Sequence, residues 1–139
     1  VPSWLGIAGA VPFITGAGAM WVLPPDLQLV AAEWLRTYAA VILSFVGAVH
    51  WGFAMLHPRL DARDRDVVWS WSVVPALVAW VGLLLSLRAG LTLSAAMFVV
   101  HWTMDRQFAA RFGLPPWYLR LRGGLTAVVV TCLIVAALR

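Results

Sequence analysis

Five apolar stretches, each long or nearly long enough to cross a bilayer as a helix, take up most of this 139-residue chain. A spanning helix needs roughly 20 mostly apolar residues, because a rise of about 1.5 Å per residue must cover about 30 Å of hydrocarbon. Inside lipid every backbone N–H and C=O must find a partner within the protein, and a helix does so within one segment. The stretches fall at about 4–23, 37–56, 67–87, 91–104 and 116–138. They predict an all-α fold, a polytopic membrane bundle of five transmembrane helices forming a single membrane domain over 1–139. Composition agrees. Only 12% of residues are charged and 63% are hydrophobic, whereas a soluble domain carries roughly 25% charged residues.

Local chemistry marks the ends. Pro24-Pro25 stops the first stretch, since proline lacks the N–H that a helix interior needs. The second begins somewhat before Thr37, with Asp26 capping a lead-in turn and Glu33, Arg36 and Thr37 on one face. Asp66 is the expected N-cap of the third. The fourth turns polar at Asp105-Arg106-Gln107, and Pro116-Trp117 opens the fifth. No basic residue precedes the first stretch, so a cleavable signal peptide is not expected.

All ten cationic residues are arginine. They lie between the apolar runs and form no basic stripe, which argues against a nucleic-acid partner. With five spans, Arg59, Arg63, Arg65, Arg106, Arg111, Arg120 and Arg122 share one side; Arg36, Arg88 and Arg139 share the other. Cytoplasmic loops carry the excess of arginine, so the N-terminus is expected in the cytoplasm and the C-terminus outside. Trp4, Trp69, Trp71 and Trp117 then fall near one interface, Trp21 and Trp34 near the other. The segment 57–66 alternates three Arg with three Asp and reads as a solvated loop. The single Cys132 lies within an apolar run and reads as a small core residue.

Polar groups in hydrocarbon are costly and tend to be paired or functional. Val-Pro at 11–12 and 74–75, and His-Trp at 50–51 and 101–102, alternate along the first four helices and hint at a two-helix repeat. His50 and His101 would lie at similar depth, where two imidazoles can hold a haem b iron. The plainer alternative is that each imidazole bonds a carbonyl or a neighbouring side chain. His101 and Asp105 are four apart on one face, and with His50 they make a donor set that a transition metal accepts. Pairing of Asp105 with an arginine is the simpler expectation, and no metal is assigned. Gly6, Gly9 and Gly16, and likewise Ser44, Gly47 and Ala54, read as close-packing faces. Trp117, Tyr118, Arg120 and Arg122 sit where the fifth helix begins and are candidate lipid-headgroup or interface contacts; for the arginines, Asp105 or a second protein is the sharper partner. No phosphate-binding loop, zinc-protease helix or nucleophile elbow is present.

The strings GIAGAVPF (6–13), Tyr38 followed by VILSFVGAVHWGFAM (41–55), WSVVPALVAW (71–80) and PPWYLRLRGGLT (115–126) carry a family resemblance. Over nearly its whole length the chain resembles the five-helix membrane proteins grouped as domain of unknown function 3429, the transmembrane protein 69-like family. That resemblance implies a bacterial inner membrane location, or the mitochondrial inner membrane in eukaryotes. It implies no particular activity, and it directs attention to Tyr38, His50-Trp51, Asp105 and the start of the fifth helix.

The expected function is therefore non-enzymatic, exerted through membrane lipid and membrane-protein partner subunits, as an accessory or assembly subunit of a respiratory or photosynthetic complex. The alternatives are a bis-His haem b or other redox cofactor protein, and a small oligomeric transporter. A transporter needs a polar cavity near the midplane.

Overall fold

A computed structural model describes residues 2–139. It contains five helices: α1 (Pro2–Val22), α2 (Pro25–Leu56), α3 (Ala62–Leu84), α4 (Leu87–Phe112) and α5 (Pro116–Ala137). No strand occurs among the described residues. The connections are two to five residues long, which forces consecutive helices to run antiparallel. α1, α2, α3 and α5 are each long and apolar enough to cross a membrane. α4, at 26 residues, is the fifth member of the bundle and spans roughly 39 Å. Arg88 and Arg111 lie near its ends, Asp105 turns inward and Arg106 turns out.

Two helices are longer than the hydropathy pattern indicates. α2 starts at Pro25, twelve residues before Thr37, because Pro25 suits the first turn and Asp26 complements the helix dipole there. The lead-in is held by an Arg36–Glu33 ion pair at 2.6 Å and by Arg36 donating to the Leu85 carbonyl at 2.9 Å. α4 continues past Asp105-Arg106-Gln107 for five more residues and stops at Gly113, whose φ of 83° is readily adopted only without a Cβ. Asp105 does not end the helix because it meets partners inside the bundle.

α3 also starts early. Its cap is Asp61, not Asp66: the Asp61 carboxylate accepts from the Asp64 N–H at 2.7 Å. The expected solvated loop at 57–66 is instead half helix, and its arginines clasp neighbouring helix ends. Arg59 donates to the Phe112 carbonyl at 2.8 Å, Arg65 to the carbonyls of Ala54 and Leu60, and Arg111 meets Asp64 at 3.1 Å. Guanidinium groups here satisfy the carbonyls that a helix C-terminus leaves free.

Glycines set the closest helix approaches. A Cβ at Gly47 would come within 2.7 Å of the Ser72 carbonyl and 3.1 Å of the Pro75 ring, so α2 and α3 touch backbone to backbone. Gly90 of α4 meets the Gly82 carbonyl of α3 in the same manner. α1 and α5 run parallel. Gly6 rests on Leu121 and Leu125 near one end, and Arg139 donates to the Met20 carbonyl at 3.3 Å near the other. The start of α1 and the end of α5 therefore lie at opposite ends of the bundle.

The interior has three layers. A large apolar cluster including Phe13, Leu35, Leu43, Phe98 and Leu133 fills the half near Arg139. A smaller one of Ala54, Leu60, Val68, Phe108 and Phe112 fills the other end. Between them lies a polar layer. The outside is apolar too, with Trp4, Trp34, Phe45 and Trp80 strongly exposed, as expected where lipid is the solvent.

Candidate functional site

The polar layer is assembled from four helices. α2 presents His50, α3 presents Trp71, α4 presents His101 and Asp105 one turn apart, and α5 presents Arg122. An indole N–H can only donate, so the Trp71 contact to His101 Nδ1 at 3.0 Å makes that nitrogen an acceptor. The two ring planes are nearly parallel, at 7°, with centroids 6.0 Å apart. The ring proton of His101 then sits on Nε2, which donates to the Val46 carbonyl at 3.1 Å. Both nitrogens are engaged, and His101 is held neutral in one tautomer.

His50 and Asp105 continue the network. His50 Nε2 donates to Asp105 Oδ1 at 2.8 Å, and Arg122 Nε donates to Asp105 Oδ2 at 2.9 Å. Asp105 is wholly buried and Arg122 is 8% exposed. A lone carboxylate at this depth would be very costly. The guanidinium supplies the counter-charge, and the imidazole satisfies the second oxygen. Two hydrogen-bonding atoms of the layer remain without a protein partner, Arg122 Nη2 and the Thr126 hydroxyl one turn further along α5.

Of the residues singled out by sequence, His50, His101 and Asp105 converge. Tyr38 and Trp51 do not join them. Tyr38 lies toward the Arg139 end, where its hydroxyl donates to the Gly9 carbonyl at 2.9 Å beside the rung that Pro12 deletes from α1. Trp51 points outward and packs on Trp69. Trp117 and Arg120 are exposed at the start of α5, with Tyr118 half-buried beside them. Arg122, two residues beyond Arg120, lies on the inward face and binds Asp105, the sharper of the partners the sequence offers it, and not a headgroup. Trp71 is a correction, since it faces His101 and not the interface. Its spacing from Trp69 was the only sequence signal, because residues two apart on a helix face different ways.

The bis-His haem arrangement does not fit. Iron held by both imidazoles places a whole macrocycle between the rings, yet the His50 and His101 centroids are 4.9 Å apart. A metal fits no better. The donor atoms of His50, His101 and Asp105 do lie within 4.8 Å of one another. However, the His101 nitrogens and the Asp105 oxygens are already hydrogen-bonded, and the Arg122 guanidinium on the carboxylate opposes a cation. The arrangement works as a charge-balanced clamp that ties α2, α3, α4 and α5 together.

The family model described as "Protein of unknown function (DUF3429)" matches residues 1–138. The chain is also similar to transmembrane protein 69 of Xenopus tropicalis, at 34% identity over 133 residues, covering 94% of this chain and 51% of that protein. It thus spans about half the length of that relative. No solved structure matches the chain.

Proposed function

The chain belongs to the DUF3429 family of membrane proteins, and on that premise we propose that it is a non-enzymatic bundle acting through contacts in the plane of the membrane. Its partners in this reading are lipid and other membrane subunits, and its role is accessory or assembly work in an energy-transducing complex. One observation carries the proposal: the sole buried carboxylate among the described residues, Asp105, has both oxygens occupied and no exposure. Moving a proton or gripping an ion needs a carboxylate with a path to water, whereas Asp105 is wholly buried and its charge is already balanced by Arg122. Here the charges of the layer are balanced within the bundle, and most of the surface left for contacts is its apolar exterior. Trp34 (75% exposed) and Trp80 stand out from it, and large aromatic side chains are the usual anchors of interfaces.

Extraction in a mild detergent is expected to release the chain within a larger stable assembly, seen as a native mass several times 15.2 kDa with co-purifying polypeptides. Recovery as a lone monomer under those conditions would defeat the proposal.

The same reading places the arginine-rich end of the bundle in the cytoplasm of a bacterial cell. A C-terminal alkaline phosphatase fusion, active only when exported, is expected to be active. An inactive fusion beside an active one in the 85–86 connection would reverse the assignment for the chain's end.

A further inference from the structure

The bundle carries a cleft that borders the clamp at Arg122. It has a volume of about 390 Å³ and lies between α1, α2 and α5, with Phe98 of α4 at its back. That size is within the range of roughly 300–1,000 Å³ that holds small organic ligands. Its origin is local. α1 meets α5 through Gly6 and meets α2 through Tyr38 and Gly16, whereas at Gly9 an added Cβ would find nothing within 4 Å. Most of the wall is apolar or aromatic, with Phe13, Phe45 and Trp117 among its residues. The exceptions are Arg122 and Thr126, which are 8% and 5% exposed, line the cleft, and hold the two unpartnered polar atoms named above.

We propose that this cleft binds an uncharged, lipid-soluble molecule through a carbonyl oxygen, which accepts from Arg122 Nη2 and the Thr126 hydroxyl while an apolar tail lies along α1. The proposal rests on the reading that the protein acts through lipid contacts, and it names the chemistry of one such contact. Charge decides the class of ligand. Asp105 already balances Arg122, so an anionic headgroup would bring a second, uncompensated negative charge into a buried site. A carbonyl supplies lone pairs without charge, which is what two buried donors require. Arg122 and Thr126 are four apart and so face the same way from α5. Two kinds of membrane molecule share this chemistry: the ring of a quinone and the ester of an acylglycerol.

The test uses the full chain, purified in an ester-free maltoside detergent. Three radiolabelled probes are offered in equilibrium dialysis: a decyl-substituted benzoquinone, dioctanoylglycerol, and decanoate as the anionic control. Saturable binding of the quinone or the glyceride is expected, and whichever binds identifies the source. Thr126→Val keeps the shape, deletes the hydroxyl, and is expected to weaken binding about 3- to 10-fold, the worth of one hydrogen bond. Gly9→Leu fills the cleft without a clash at Cβ and is expected to abolish binding, with the helical circular dichroism signal retained. If Gly9→Leu does not fold, Thr126→Val decides alone. Binding of neither neutral probe, stronger binding of decanoate, or wild-type binding by Thr126→Val would overturn the proposal. Because binding is measured on the isolated chain, any of these results leaves the assembly reading to be judged by native mass.

Discussion

Asp105→Ala is expected to lower the stability of the bundle by about 3–5 kcal/mol, the usual cost of removing one partner from a buried ion pair. The loss has two parts. Arg122, only 8% exposed, keeps its charge with no carboxylate to face, and His50 loses the acceptor of its ring proton. Magnitude separates this from an ordinary hydrogen-bond loss, because interhelical hydrogen bonds in membranes average about 0.6 kcal/mol. Equilibrium unfolding in mixed micelles with a denaturing detergent measures it. A loss under about 1 kcal/mol would mean that water reaches the layer and the clamp is not tight. The double variant Asp105→Leu with Arg122→Met provides the cross-check. Replacing both charges with apolar groups of similar volume is often neutral or stabilising, so most of the single-variant loss should be recovered.

The second large effect is at the α3–α4 crossing. Gly90→Leu is expected to cost about 3 kcal/mol, at the upper end of ordinary overpacking. The obstacle is the Gly82 carbonyl, which belongs to the backbone and cannot rotate aside, with Arg36 Cδ pressing from the other direction at 3.1 Å. One of the two helices must shift, and α4 carries both His101 and Asp105. Gly18→Leu is the matched control, since a Cβ there meets nothing within 4 Å. It should be neutral or slightly stabilising, because leucine is the better helix former. Comparable losses for the two variants would show that glycine content, and not the crossing, sets the cost.

Much of the fold is legible in the sequence. An apolar run of spanning length has few alternatives in lipid, and prolines at 24, 25 and 116 mark ends by chemistry that does not depend on packing. The misplaced end of α4 has a plain cause. Asp105-Arg106-Gln107 looks like a water boundary because hydropathy sums a window and is blind to which face a residue occupies. Asp105 turns inward while Arg106 and Gln107 turn out. Asp61 caps α3 five residues before Asp66 because the following Arg63 and Arg65 are helical, with Arg65 bonded back onto Ala54 and Leu60.

The site was half legible for the same reason. The matching His-Trp dipeptides put His50 and His101 at one depth, and the i, i+4 spacing puts Asp105 beside His101. The rotation of α3 and α5 about their own axes is not written in hydropathy. It decides that Trp71, rather than Trp69, reaches His101, and that Arg122, rather than Arg120, reaches Asp105.

The polar layer draws a side chain from every helix except α1. The polar ties of that layer thus bypass α1, which is fastened by Tyr38 to Gly9 and by Arg139 to Met20. Toward its beginning, α1 leans on leucine side chains through Gly6. That end is therefore the part that fluctuations detach at least expense, and its detachment would leave the other four helices latched. A molecule diffusing within the bilayer would meet the mouth of the interior there, sideways, without ever passing through water.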